Sequence, residues 1–367
     1  MKYFFVAGEK SGDLHTSALA KEIVARDAEA IMEGWGGDDM AQIGVKIHHH
    51  YRDLDFMGLD FLSSFGNLYK LYKLCKEQIL AMNPDVLVLV DYSGFNLRIA
   101  KWARRKNFKV VYYIAPKTWA WNSLRNRTIR RTVDKLLVIL PFEKKYFSER
   151  GINTTYVGNP LLERINAFVP DMFFKEKLPT EYKYTVALLP GSRKKEVERV
   201  YMELKKVARN FSDTLFVVAA IGDLDHFYDG FQCIQNCMVI TDSTYDLLAI
   251  ADAAVVTSGT ATLETALFNV PQVVVYKTSN LTYEIAKRLI NVKFISLVNL
   301  LLNREAVPEL IQEDFQSADI KARLKEIIED GKFRNKQLES YKEIRQLLGS
   351  KNASEHAAIE IIKMFQE

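Results

Sequence analysis

At about 150 residues per domain, a chain of 367 residues holds two domains, and with 48% apolar and 26% charged residues it is neither disordered nor collagen-like. The net charge, 50 − 46 = +4, excludes a strongly basic nucleic-acid arm but permits a local patch facing something anionic. Three cysteines, Cys75, Cys233 and Cys237, without a C-x-x-C pair, exclude a disulfide scaffold and fit a reducing compartment.

The first apolar run, Tyr3–Ala7, stops at Glu9, too short for a secretory core of roughly 7–15 residues, and is therefore read as a strand. Further short runs at Val86–Val90, Val110–Ile114, Leu136–Leu140, Thr185–Leu189, Leu215–Ala220, Ala253–Thr257 and Val273–Tyr276 are rich in Val, Ile and aromatics. Several are apolar throughout, as strands buried on both faces are. Helical periodicity at Leu14–Ala25, Leu97–Arg105, Lys194–Asn210 and Leu281–Leu289 alternates with them. The alternation predicts an α/β chain of two doubly wound, Rossmann-like domains facing across a cleft. Two prolines and several charges in Phe168–Lys183 mark the linker, giving domains of 1–168 and 169–350. A last helix over 351–367, capped by Asn352 with Glu355 three residues on, is expected to pack back on the first domain. No stretch approaches the roughly 20 apolar residues of a membrane span.

Candidate chemistry follows the same order. Val6–Asp13 is a glycine-bearing turn whose Glu9, Ser11 and Asp13 line the crevice, or a plain turn with Asp13 as N-cap. It lacks the G-x-G-x-x-G spacing of a dinucleotide fingerprint. Phe56, Met57, Phe61, Leu62 and Phe65 form an apolar segment that, with the basic run Arg125–Arg131, suits an anionic membrane surface or else a buried helix. Asp91 ends a fully apolar strand and is aimed at the crevice, where desolvation raises a carboxylate toward the range of a general base; alternatively it caps the next helix. Trp119 and Trp121 share a loop and either stack on a sugar or acyl chain or plug the core.

In the second half, Leu189–Lys195 places a Pro-Gly turn and three cations at the start of a helix, opposing its dipole. An anion on the free amides of Gly191 and Ser192, clamped by Arg193, would reverse that sign; the alternative is solvated side chains. Ser258, Gly259 and Thr260 open a second helix and suit a diphosphate, with Glu264 one turn in to accept ribose hydroxyls. Ordinary N-capping is the competing account. Metal signals are weak: Asp53-Leu54-Asp55, Asp223-Leu224-Asp225 and His48–His50 lack a ligand array, so no metal and no cofactor is expected.

Taken in order, these motifs resemble the lipid-A-disaccharide synthase family, inverting glycosyltransferases of the GT-B fold. The resemblance runs through A-G-E-K-S-G-D (Ala7–Asp13), F-M-G-L (Phe56–Leu59), P-D-V…D (Pro84–Asp91), W-A-W (Trp119–Trp121) and L-P-F-E-K (Leu140–Lys144). It continues through V-G-N-P-L (Val157–Leu161), L-P-G-S-R (Leu189–Arg193), S-G-T-A-T-L-E (Ser258–Glu264) and S-L-V-N-L-L (Ser296–Leu301). It implies transfer of 2,3-diacylglucosamine from UDP-diacylglucosamine to the 6-hydroxyl of diacylglucosamine 1-phosphate, giving a β-1,6 disaccharide and UDP. It further implies Asp91 as general base, Arg193, Glu264 and Asn299 at UDP, and metal-free chemistry. The implied setting is cytoplasmic, peripheral on the inner membrane's cytoplasmic face, with no nucleic-acid partner and a homodimer left open.

Two positions depart from the family pattern. Asn159 stands where the family usually has His, and Asn cannot titrate. Gly94 replaces a second acid three residues after the base, so a paired-carboxylate mechanism is not supported. Other readings are a GT-B enzyme acting on UDP-N-acetylglucosamine, or a nucleotide-lipid binding protein without catalysis. An NAD-dependent oxidoreductase is third, for want of the glycine fingerprint.

Overall fold

The computed structural model describes residues 1–55, 64–220, 225–289 and 292–366. The chain divides into two compact units, Met1–Glu163 with Leu348–Glu367, and Arg164–Leu347. The crossing into the second unit thus falls inside the helix Pro160–Ala167, ahead of the proline-interrupted stretch expected to be the linker. Helix continuity, which needs one backbone hydrogen bond per residue, overrides the composition signal there.

The first unit is built on a parallel sheet of seven strands: β1 (Lys2–Ala7), β2 (Ile31–Gly36), β3 (Lys46–His50), β4 (Val86–Val90), β5 (Lys109–Tyr113), β6 (Lys135–Val138) and β7 (Thr154–Tyr156). Their spatial order is β3-β2-β1-β4-β5-β6-β7. The order reverses between β1 and β4, so crevices open at the C-terminal ends of these two strands. β1 is buried on both faces by alternation: Phe4 and Val6 pack with Ile79 and Phe95, whereas Tyr3, Phe5 and Ala7 pack with Leu19 and Ile23. The helix Ala353–Lys363 completes that second layer through Ala357, Ala358 and Ile361. Its start is capped by Asn352, whose Oδ1 accepts from the Glu355 amide at 3.1 Å.

The second unit repeats the pattern with β8 (Tyr184–Leu189), β9 (Thr214–Ala220), β10 (Cys237–Thr241), β11 (Ala253–Thr257), β12 (Gln272–Tyr276) and β13 (Glu309–Ile311). The order β10-β9-β8-β11-β12-β13, again parallel, reverses between β8 and β11. Strands β2, β3, β7, β10 and β13 were not among the apolar runs. Gly34 and Gly36 interrupt β2, three histidines make up most of β3, β7 and β13 are three residues each, and β10 is an apolar edge strand that is only partly buried. Among the described residues no helix is long and apolar enough to cross a membrane.

Candidate functional site

In the first unit the elements converge at the β1/β4 reversal. Asp91 and Tyr92, directly after β4, both adopt left-handed backbone, with φ of 45° and 42°. Such conformations cost of order 1–3 kcal/mol each in non-glycine residues and persist only where the surroundings enforce them. Asn96 does so: its buried Nδ2 lies 3.2 Å from the Val6 carbonyl, 3.1 Å from that of Val90 and 2.9 Å from that of Asp91. The Tyr112 hydroxyl also donates to the Asp91 carbonyl. Tyr92, not Asp91, is the N-cap of the helix Ser93–Arg105, so the capping alternative for Asp91 is set aside. Burial holds the Asp91 carboxyl above the usual carboxylate range, and Lys117 and the Tyr92 backbone pull it partly back.

Gly8 closes the other side of this reversal. A methyl group on it would stand 2.3 Å from the Tyr92 ring, so only glycine lets that ring approach so closely. The next residues differ from the expected turn, because the helix begins at Lys10 with Glu9 as its N-cap. Glu9 is half-buried and Ser11 exposed, both still at the β1 end. Asp13 is buried and does not cap its own helix, whose N-cap is Glu9. Its Oδ1 accepts from the Gly37 and Met40 amides at 2.7 and 3.2 Å and its Oδ2 from Asp39 at 3.1 Å, capping the short helix Asp38–Gln42. Three amides from that segment thus share the Asp13 carboxyl group.

The two tryptophans separate. Trp119 is half-buried, its Nε1 donating to Glu143 Oε1 at 2.9 Å and its ring edge-on to Phe142 at 5.0 Å. Trp121 is 47% exposed beneath the Arg125 guanidinium, whose Nη1 reaches Ser93 Oγ at 2.9 Å. The basic run is a helix, Arg125–Thr132, exposing Arg127, Arg130 and Arg131, and Leu124 just before it is 84% exposed. Asn159 is buried as a helix cap, Oδ1 accepting from Leu161 N at 2.9 Å and Nδ2 donating to Ile139 O at 3.1 Å. Both bonds are to backbone groups, one at the helix start and one twenty residues back at Ile139. Phe56, Met57, Phe61 and Leu62 lie outside the described residues, and of Phe65 only its place in the helix Ser64–Met82 is described.

In the second unit both glycine loops flank the β8/β11 reversal. Gly191 has φ 117°, and a Cβ there would meet the Glu196 carboxylate at 2.7 Å. That carboxylate occupies the expected anion cradle: Oε2 accepts from the Ser192 amide at 3.1 Å, and Oε1 lies 3.3 Å from Arg193 Nη1. Arg193 otherwise reaches into solvent, 74% exposed at its side chain. An internal carboxylate on the helix start meets the same dipole requirement as a ligand anion.

Gly259 and Thr260 are exposed at the start of the helix Ala261–Leu267, and Ser258 Oγ donates to Ile295 O at 2.9 Å. Glu264 Oε1 accepts from the Tyr245 hydroxyl at 2.6 Å. Tyr245 in turn packs against Phe168, Phe268 and the Arg164 guanidinium.

Asn299, expected at UDP, uses its side-chain amide within the fold. Nδ2 donates to Val307 O and Glu309 Oε1 at 2.9 and 2.8 Å, and Oδ1 accepts from the Ala306 and Val307 amides at 2.7 and 3.0 Å. It secures the loop 295–299, which Glu309, Thr262 and Ser258 also hold. Two motifs far apart in sequence, Ser258–Glu264 and Ser296–Leu301, thereby become one wall.

Glu143, Asn96 and Tyr245 were not among the expected site residues. A signal for Glu143 did exist: Leu140-Pro141-Phe142-Glu143 has proline at the first helical turn and a carboxylate at the capping-box position. Among the described residues no group of three His, Cys, Asp or Glu side chains stands ready to hold a metal ion.

A family model described as lipid-A-disaccharide synthetase matches residues 3–362. The lipid-A-disaccharide synthase of Geobacter metallireducens is 35% identical over 99% of this chain and 97% of its own length. That of Syntrophus aciditrophicus is 37% identical over the same shares. Among solved structures, the UDP-GlcNAc 2-epimerase of Neisseria meningitidis bound to UDP-GlcNAc superposes with a TM-score of 0.69 at 10% identity, covering 100% of both chains. The glycotransferase of kitacinnamycin gives 0.66 at 13%, covering 99% of this chain and 98% of its own. At these identities the structural likeness speaks to fold, and the fold is GT-B.

Proposed function

The chain belongs to the lipid-A-disaccharide synthase family, and from that premise we propose that it moves 2,3-diacylglucosamine from its UDP donor to the 6-hydroxyl of 2,3-diacylglucosamine 1-phosphate. The observation that carries this reading is Asp91: a single carboxylate, raised in pKa by burial and held in strained backbone, at the strand-order reversal of its unit. Strain and a perturbed pKa concentrate where chemistry is done.

The acceptor hydroxyl gives its proton to the Asp91 carboxylate as its oxygen bonds to the anomeric carbon. The bond from that carbon to the diphosphate breaks on the opposite face, inverting the centre and releasing UDP. In the second unit, Arg193, the amides of Gly191 and Ser192 and the Ser258–Thr260 helix start stabilise the departing diphosphate, while Glu264 accepts the ribose hydroxyls. Glu196 must swing away from the Ser192 amide for the diphosphate to enter. Loss of one such preorganised donor raises the barrier by about 3–4 kcal/mol.

Both proposed substrates carry acyl chains, which calls for a membrane surface. Exposed Leu124 and Trp121 beside Arg127, Arg130 and Arg131 offer apolar anchors next to cations, which suits the anionic cytoplasmic face of the inner membrane.

The test is incubation with UDP-diacylglucosamine and diacylglucosamine 1-phosphate, with and without chelator, following the disaccharide by mass spectrometry and UDP by a coupled assay. Acceptor-dependent UDP release with disaccharide formation supports the reading. UDP release that ignores the acceptor points instead to an enzyme acting on the UDP-sugar alone.

A further inference from the structure

Two hydrogen bonds of the Glu143 side chain serve different purposes. Its Oε2 accepts from the Leu140 amide at 3.1 Å, which is a helix cap. Its Oε1 reaches outward to Trp119 Nε1 at 2.9 Å, which a cap does not require. The carboxyl group is 2% exposed, so neither bond is shared with water.

The loop that carries Trp119 is secured from its other side as well. Thr118 Oγ1 donates to Asn126 Oδ1 at 2.6 Å, Asn126 Nδ2 lies 2.9 Å from the Tyr146 hydroxyl, and that hydroxyl lies 3.1 Å from Thr118 O. Glu143 is the carboxyl group of the set, and burial lifts its pKa to about 7. The ionisable groups facing it are Lys117, on the same loop as Trp119, and Tyr156 on β7. Lys117 is also the cation that acts on Asp91. One short loop therefore couples two carboxyl groups, both raised by burial.

We propose that Glu143 is a positioning residue for the acceptor side of the reaction: through the Trp119 indole it fixes the Lys117–Trp119 loop beside Asp91. The ionised carboxylate offers an acceptor to each of its two N–H donors. Protonation turns one oxygen into a hydroxyl whose hydrogen faces N–H donors and not an acceptor, and the indole bond loosens. The loop is held at neutral to alkaline pH and released on acidification. This inference rests on the proposed reaction for its kinetic consequence but not for its structural one.

The experiment pairs tryptophan emission with steady-state kinetics on wild type, E143Q and W119F. A glutamine at 143 must turn its NH2 toward one of the two donors, so it loses a bond while keeping its size. Wild type should show an emission change with a midpoint near pH 7, absent in both variants. E143Q should lose roughly 10–100-fold in kcat/KM for the acceptor, with donor KM unchanged, because a small misplacement of a positioning loop costs that much. The double variant should be no worse than W119F. An emission change that persists in E143Q, or an acceptor kcat/KM within about twofold of wild type, overturns the proposal. If E143Q does not fold, persistence of the pH-dependent emission in W119F overturns it equally. A wild type with the expected emission change that forms no disaccharide refutes the proposed reaction and leaves Glu143 as the control on this loop.

Discussion

The Tyr245 hydroxyl donates to Glu264 Oε1 at 2.6 Å, one of that carboxylate's two oxygens. Burial and the adjacent Glu264 push the phenol's pKa well up, so it remains a donor throughout the physiological range. Glu264 is thus aimed by a side chain nineteen residues earlier in the chain.

Tyr245→Phe should leave fold and kcat intact and weaken UDP binding by about 1 kcal/mol, near fivefold in Kd, the worth of one hydrogen bond. Calorimetric titration with UDP checks this. An unchanged Kd would remove Glu264 from the nucleotide site.

Gly8→Ala forces a methyl group into the Tyr92 ring. The expected outcome is about 1–3 kcal/mol of lost stability, typical of overpacking, together with a fall in kcat because Tyr92 adjoins Asp91. Urea denaturation and single-turnover rates measure the two effects separately.

Asp91→Asn should lower kcat roughly 10²–10⁴-fold with donor binding preserved. A base must be ionised to act, and the Asp91 pKa is raised, so activity should fall with acid along a limb lying above the ordinary carboxylate range. The limb should vanish in the variant's residual rate. Near-full turnover with the same pH profile would sink the assignment.

Glu143 predicts a stability slope of definite sign. Its pKa is about 7 in the folded chain against 4.5 unperturbed. Below pH 4.5 both folded and unfolded chains carry the proton. Between 4.5 and 7 only the folded chain does, so stability falls as pH rises, reaching a loss of about 3 kcal/mol above 7. Urea titrations at pH 5 and pH 8 should show E143Q gaining on wild type by that order at the higher pH.

Asn299→Asp tests whether that residue touches ligand or only holds a loop. A carboxylate there would face Glu309 Oε1, now 2.8 Å from Nδ2, and forfeit the bond to Val307 O. We expect a lowered melting temperature corresponding to about 2–4 kcal/mol, with the UDP Kd of the still-folded fraction unchanged.

The sequence exposed those parts of the fold whose signal is local. Apolar runs marked the interior strands, and the glycine loops after β8 and β11 stand at the strand-order reversal because the topology puts the ends of those strands together. What it hid was set by distant partners. Asp13 reads as a cap or a site group until Gly37, Asp39 and Met40 arrive from another part of the chain to claim its oxygens. Asn299 likewise carries a motif position, but its partners at Val307 and Glu309 are fixed only when β13 joins the sheet. β3 was invisible because His48, His49 and His50 carry no apolar alternation; Glu33 and Trp35 on β2 give two of them partners.

The helix Ala353–Lys363 has a consequence for biosynthesis. Ala357, Ala358 and Ile361 cover Leu19, Ala20 and Ile23, yet more than three hundred residues separate the two sides of that contact. During translation the N-terminal half emerges first and must wait, its greasy flank bare, while the whole second unit is made. A ribosome stalled before residue 348 would hold a nascent chain that sticks to chaperones, and a stop codon there would cost the first unit its closure although every strand of its sheet had been synthesised.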